Sequence, residues 1–578
     1  MTFTRRDAAA MAALGLMAPG CAHLPLPSGK QSRPPGALGP VIDAHCHLFN
    51  ESDLPVVRFL KIVFLGLHQP DEAKLLDLHN GDVLDGLIYL FKILFAGKGP
   101  TARAELADLT EKKFELAPAS ADPTDAAVQQ ELADWLRTEI DPTGREPGEV
   151  RGEAAVRAAI IAAGGAGKSS TSLKLDSAQA AQATASAALA SSFDIGVYLR
   201  WFKEFRRSRA RLTDKLIAAH REQGAIPRLM TPAMVDYTCW LGETPRSPFA
   251  DQVDVFTAIA RRPGETAVHG YVAYDPLHQV FTDMQRKPKD VSTAAWAVDQ
   301  RESPLDRVRR ALTSGGFLGV KLYPPMGFRA GSNAAAPRLT FPDPVNRALG
   351  GISDDELAVR LDDALDRLYR LCTEAEIDAP IMAHGGEGNQ AGDDYGSRAD
   401  PYYWLDVIRR FPTLRVSVAH FGHFAYRTAM PDTGLPGVLA NTFEGAFAHH
   451  VVRDPTAPFF ADLAYYEEVL NASRATRGKF ADHLKFYRDK ADPRLEHLLF
   501  GTDWVMLGNL PKAETYTGQI HDFLSKDCGF GEEALANIMW RNAVRFAGLG
   551  AGAGSRRRLE RFYAAHGLDQ ARLRAFDA

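Results

Sequence analysis

The chain has 578 residues, about three to four times a usual single-domain length of about 150 residues, so a large core with long insertions is possible. Hydrophobic residues make up 46% and charged residues 24%, which excludes a disordered chain and a polytopic membrane protein. A net charge of −5, from 67 basic and 72 acidic residues, leaves no global basic field to attract nucleic acid, and no nucleic-acid partner is expected. Five cysteines (Cys21, Cys46, Cys239, Cys372 and Cys528) are too scattered for a disulfide framework or a zinc knuckle.

Residues 1–21 read as an export signal. Arg5-Arg6 is followed by an apolar stretch from Ala8 to Met17, too short to span a membrane as a mature helix. The paired arginines resemble a twin-arginine signal, and Gly20-Cys21 resembles a lipoprotein cleavage site. The expectation is a periplasmic or envelope protein held to the membrane by a lipid on Cys21, with a plain secretory signal as the alternative. Residues 22–40, rich in Pro, Gly and Ser, read as a flexible tether.

From residue 41 to about 550, short apolar runs alternate with helical periodicity, which argues for parallel α/β architecture. The predicted strands are 41–48, 227–236, 267–275, 317–323, 379–385, 414–421, 459–464 and 498–503. Eight such units suit a (β/α)8 TIM barrel, whose functional groups collect at the C-terminal strand ends. Residues 50–225 form a mostly helical insertion after the first strand, and 425–458 a second, smaller one. The apolar run 82–96 contains Lys92 and reads as a buried helix. Gly164-Gly165-Ala166-Gly167-Lys168-Ser169 looks like a phosphate loop but has Ala162 where its first Gly belongs, and reads as a linker. Residues 551–578 are expected to be a helical tail.

The strand ends carry the chemistry. His45 and His47 lie two apart on a strand, so both imidazoles share the inner face with Asp43 while Cys46 points outward. His384 ends the fifth run, His420 the sixth and Asp503 the eighth. His45, His47, His384 and Asp503 form an N3O donor set suited to Zn2+, or to Mn2+ or Fe2+, with open positions for water. Buried core histidines or capping carboxylates would have to recur at four strand ends to give the same pattern.

These motifs resemble the metal-dependent amidohydrolase superfamily, and most closely its amidohydrolase-related branch, which includes aminocarboxymuconate-semialdehyde-type decarboxylases. Asn542-Ala543-Val544-Arg545-Phe546-Ala547-Gly548-Leu549 also resembles the closing helix of that branch. The resemblance implies that His45, His47, His384 and Asp503 bind the metal and that His420 acts on substrate or on the metal's water. Lys321 alternates inward within Gly319-Val320-Lys321-Leu322-Tyr323. In binuclear relatives a lysine there is carboxylated and bridges two ions. The reading preferred here is one ion, with Lys321 as an ammonium facing a substrate anion and Arg329 assisting.

The expected function is hydrolysis of a small amide, ester or lactone by metal-activated water, with Asp503 taking the proton and His420 polarising the carbonyl. The alternatives are a non-oxidative decarboxylase or hydratase of an unsaturated carboxylic acid, and a non-catalytic lipoprotein binding scaffold. The sequence does not specify an oligomeric state.

Overall fold

The computed structural model of the protein describes residues 33–55, 58–59, 97–111, 195–285, 302–336, 345, 348–386, 390–392, 395–421 and 433–577. The export signal with Cys21, the run 82–96 and the Gly164–Ser169 segment lie outside the described residues. So do most of the 50–225 insertion and part of the 425–458 one.

Every predicted run contains a strand. They are β1 (Gly39–Cys46), β2 (Ala225–Pro232), β3 (Ala267–Val268), β4 (Tyr271–Ala273), β5 (Gly319–Leu322), β6 (Ile381–His384), β7 (Val416–Ala419), β8 (Phe459–Asp462) and β9 (Leu498–Leu499). All pairings are parallel, in two sheets ordered β1-β2-β3 and β4-β5-β6-β7-β8-β9. The single run 267–275 is split into β3 and β4. The backbone turns at His269-Gly270, where a Cβ on Gly270 would stand 2.5 Å from the Pro232 carbonyl oxygen. His269 fills the break, bonding through Nδ1 to Gly316 O at 2.7 Å and through Nε2 to the Tyr563 hydroxyl at 3.0 Å. The sheets still communicate, because Met234 N donates to Tyr271 O at 3.0 Å. At the other edge, Ala44 N donates to Phe500 O at 3.0 Å.

Strands β4 to β9 are buried on both faces, which is why they appear in the sequence as continuous apolar runs rather than alternating ones. Val320, Leu322, Ile381, Val416 and Val418 are buried in this core. Each such side chain contributes about 1.5–3 kcal/mol relative to exposure.

The expected tether ends earlier than residue 40. β1 begins at Gly39, and the preceding turn is held by Leu38 N donating to Gly224 O at 2.9 Å and by an Arg33–Asp522 ion pair at 2.6 Å. Among the described residues 33–40, Pro and Gly serve a tight turn. The C-terminal tail is helical, Gly554–His566, and packs beneath the sheet. Its buried Arg558 donates to the carbonyls of Phe317 (2.8 Å) and Leu318 (2.7 Å), just before β5, and of Leu312 (2.9 Å) in the preceding helix. No helix of the described residues is long and apolar enough to cross a membrane.

The described parts of the insertion are helices α1 (Ala102–Glu111), α2 (Ile195–Glu204) and α3 (Arg209–Glu222). One buried cation fastens α1 and α3 to the segment that follows β1. Arg209 binds Asp53 through two nitrogens, at 2.5 and 2.8 Å, and Glu105 at 2.8 Å. Glu105 also accepts the Ala210 amide at 2.8 Å, capping α3. Replacing Arg209 by Ala leaves two carboxylates buried without their cation and should remove about 3–5 kcal/mol of stability. Chemical denaturation of Arg209→Ala beside the wild type measures that loss; an unchanged midpoint would refute the anchoring role.

Candidate metal centre

The site forms where β1 meets the segment after β9. The amides of Thr502 and Asp503 both donate to the His45 carbonyl, at 3.0 and 2.8 Å, and His47 N donates to Trp504 O. Gly501 permits this approach, since a Cβ there would stand 2.8 Å from the His45 Cβ. Asp43 secures the seam by accepting from Thr502 N at 3.0 Å and Thr502 Oγ1 at 2.6 Å. Asp503 is thereby held with φ at +57°, a left-handed conformation uncommon for residues other than glycine.

The side chains converge from several strands. His47 donates through Nδ1 to the Ala233 carbonyl at 2.8 Å, so in the neutral ring Nε2 carries a lone pair. That nitrogen lies 3.1 Å from Asp503 Oδ1. Two electron pairs at this separation require a proton or a cation between them. His45 Nε2 lies 3.5 Å from the same oxygen. Donor atoms of His45, His47 and Asp503 all fall within 4.8 Å of one another, as one metal ion needs.

His384 is not part of that tight trio. Its ring stacks on Tyr323 with centroids 4.3 Å apart and lies 4.7 Å from the ring of His420. Its Nε2 is buried and has no hydrogen-bond partner among the described residues. An orphaned imidazole nitrogen beside three convergent donors fits a divalent cation.

His420 donates through Nδ1 to Ala464 O at 3.1 Å, while its backbone amide donates to Asp462 Oδ1 at 2.9 Å. The neutral ring therefore presents a lone pair on Nε2. In that state Nε2 can accept a proton.

Lys321 and Arg329 also differ from expectation. The Lys321 Nζ lies 3.2 Å from His45 Nε2, against the histidine cluster. Arg329 lays its guanidinium over the Tyr403 ring, 4.4 Å from the centroid. Neither lines the pocket in front of the histidines, which is bounded by His47, Phe49, Phe59, Tyr237, Tyr323, His384, His420, Asp503 and Met506. This cavity encloses 20 Å3, room for about one water-sized occupant.

Sequence reasoning missed Asp462. It ends β8, is fully buried, and holds His45 Nδ1 at 3.0 Å from its Oδ2. His45, His420 and Asp462 also form a group of convergent donors. The available signal was the same as for the residues that were found: an inward carboxylate closing an apolar run.

The electrostatics suit a dry site. Burial, then the Lys321 charge, push His45 well below the usual histidine value. Burial, then His420 and Lys321, do the same to His384. His420 is also lowered by burial, with Asp503 and Asp462 opposing. Burial pushes Asp503 up, but a proton held between it and His47 Nε2, together with positive charge on the His420, His45 and His47 rings when they are protonated, brings it down to about 2. Burial brings Lys321 down to about 8 against the pull of Asp462 and Asp503.

An amidohydrolase family model (Amidohydro_2) matches residues 245–549. The match contains Lys321, His384, His420, Asp462 and Asp503, whereas His45 and His47 precede it. The crystal structure of a proposed amidohydrolase from Staphylococcus aureus is similar over 58% of this chain and 92% of that one, at 13% identity and a TM-score of 0.31. Comparison with curated proteins finds no match.

These shifts make stability pH-dependent. His45, His384 and His420 are lowered in the fold, so below about 6.5 the unfolded chain binds more protons and stability falls as pH falls. Each ring contributes up to about 1.4 kcal/mol per pH unit in that window. Asp503 gives its full contribution above about 4 and loses it as pH falls toward 2, while Asp462, raised by burial, acts in the opposite sense to the three rings. The unfolding midpoint of metal-free protein should be lower at pH 5 than at pH 7.5, and His384→Gln should flatten the dependence. A midpoint insensitive to pH would contradict the neutral state of these rings.

Proposed function

The chain belongs to the amidohydrolase family, whose model covers more than half of it, and on that premise we propose that it is a metal-dependent hydrolase of a small amide, ester or lactone. The observation that carries this reading is the convergence of His45, His47 and Asp503 beside the orphaned Nε2 of His384. These four residues would hold one divalent ion, Zn2+ before Mn2+ or Fe2+. When bound, such an ion polarises a carbonyl and lowers the pKa of water from 15.7 toward about 7.

The protein's own groups supply proton transfer and exclusion of solvent. His420 Nε2 faces the pocket with a lone pair and takes a proton from the attacking water. Asp462 and Asp503 favour the resulting imidazolium. The water oxygen bonds to the carbonyl carbon, the C–N or C–O bond breaks, and His420 returns the proton to the leaving group. Asp503, held down to about 2, is a weak base and serves as a metal ligand. Phe49, Phe59, Tyr237, Tyr323 and Met506 wall the pocket alongside the histidines and Asp503.

The same pocket favours hydrolysis over decarboxylation. Among the described residues, neither Lys321 nor Arg329 nor any other Lys or Arg lines it, so none is placed there to hold a substrate carboxylate. A closed (β/α)8 barrel is the corresponding fold reading, supported by the hydrogen bonds from Thr502 and Asp503 to His45 and the bridge between Ala233 and Tyr271.

His47→Ala should lose bound metal and reduce turnover more than about 100-fold, beyond the roughly 10–100-fold of an outer-shell change. Elemental analysis and a panel of esters, lactones and amides in oxygen-18 water test both points. One labelled oxygen per product with no carbon dioxide is expected. Carbon dioxide release without label, or active protein free of metal, would overturn the reading.

We further propose that the protein is exported and lipid-anchored at Cys21, on the strength of residues 1–21. Cys21→Ser should move it from the membrane fraction to the soluble fraction; a soluble wild-type protein would refute the anchor.

A further inference from the structure

The two ring nitrogens of His45 face neighbours that allow only one position for its single proton. Nε2 lies 3.2 Å from the Lys321 Nζ, and an ammonium has three N–H donors and no lone pair to offer. Nε2 must therefore be the acceptor, which puts the ring proton on Nδ1. That nitrogen lies 3.0 Å from Asp462 Oδ2, with both side chains fully buried. The other carboxylate oxygen, Oδ1, already accepts two backbone amides, His420 N at 2.9 Å and Ala464 N at 3.1 Å. Asp462 cannot rotate without stranding those buried amides, a loss of the kind buried polar groups rarely sustain.

We propose that Asp462 is a positioning residue that fixes the Nδ1–H tautomer of His45 and keeps the Nε2 lone pair directed at the His47–Asp503 cluster. A ligating histidine needs such a partner on its other nitrogen. Asp462 is not itself a ligand, because both of its oxygens are engaged by hydrogen bonds. The functional consequence rests on His45 being a metal ligand; the tautomer is a property of the metal-free protein.

The isosteric variant Asp462→Asn separates these roles. Only an oxygen can accept the amides of His420 and Ala464, so the Asn carbonyl must stay on the Oδ1 side. Its NH2 then replaces Oδ2 and donates to His45 Nδ1, moving the ring proton to Nε2 and blocking the lone pair.

The test uses metal-free, 15N-histidine-labelled full-length protein, with the His45 signals assigned by their loss in His45→Gln. Wild-type His45 should show the Nδ1–H pattern and Asp462→Asn the Nε2–H pattern. Zn2+ affinity, measured by chelator competition, should fall roughly 10–100-fold in Asp462→Asn. The unfolding midpoint without metal should stay within a few degrees, a result that a merely structural role would not produce together with a tautomer change. An Nε2–H pattern in wild type overturns the inference, and that spectrum decides the matter even where the variant fails to fold. So does a folded Asp462→Asn with unchanged tautomer or Zn2+ affinity. Wild type with Nδ1–H but no Zn2+ binding would uphold the tautomer inference and defeat the metal-ligand reading instead.

Discussion

One carbonyl oxygen, that of His45, accepts hydrogen bonds from the successive amides of Thr502 and Asp503. The site depends on that junction. It places Asp503 beside the two imidazoles of β1, though the residues lie at opposite ends of the folded chain. Asp43 doubles the contact through Thr502, and Gly501 leaves the space that the contact requires. Without the seam, His45 and His47 would be two polar residues at a strand end with no carboxylate to share.

What the junction assembles is electrically tense. Neutral rings, an ionised carboxylate and a lysine with a lowered pKa are packed together away from water. Burial opposes charge on each of these groups, and each charge present is tolerated because a partner lies within about 3 Å. In such surroundings hydrogen-bond direction matters as much as distance. His47 and His420 spend Nδ1–H on carbonyls and His45 spends its own on a carboxylate, so three rings turn lone pairs inward. A cluster of acceptors is stable only when something positive completes it.

The rest of the fold braces this arrangement from two sides. Arg209 joins Asp53, in the segment after β1, to helices α1 and α3 of the insertion. Arg558 reaches from the C-terminal tail to the carbonyls of Phe317 and Leu318, which lead into β5, the strand that carries Lys321. Both guanidiniums are buried and multiply bonded, where the planar fork of arginine is most useful.

The amino-acid sequence by itself determined the strand positions and which of them end in polar groups. Those are local properties: a two-residue period turns His45 and His47 to one face, and an apolar run closed by His384, His420 or Asp503 is visible without knowing its neighbours. The same signal marks Asp462, but a lone carboxylate at a strand end does not announce its partner. Only the tertiary structure decided that Asp462 faces His45, that Lys321 turns to His45 rather than the pocket, and that His420 presents an acceptor. Which nitrogen of a ring holds the proton, and which atom an ammonium meets, depend on groups brought together from strands far apart in the chain, and no local pattern encodes them.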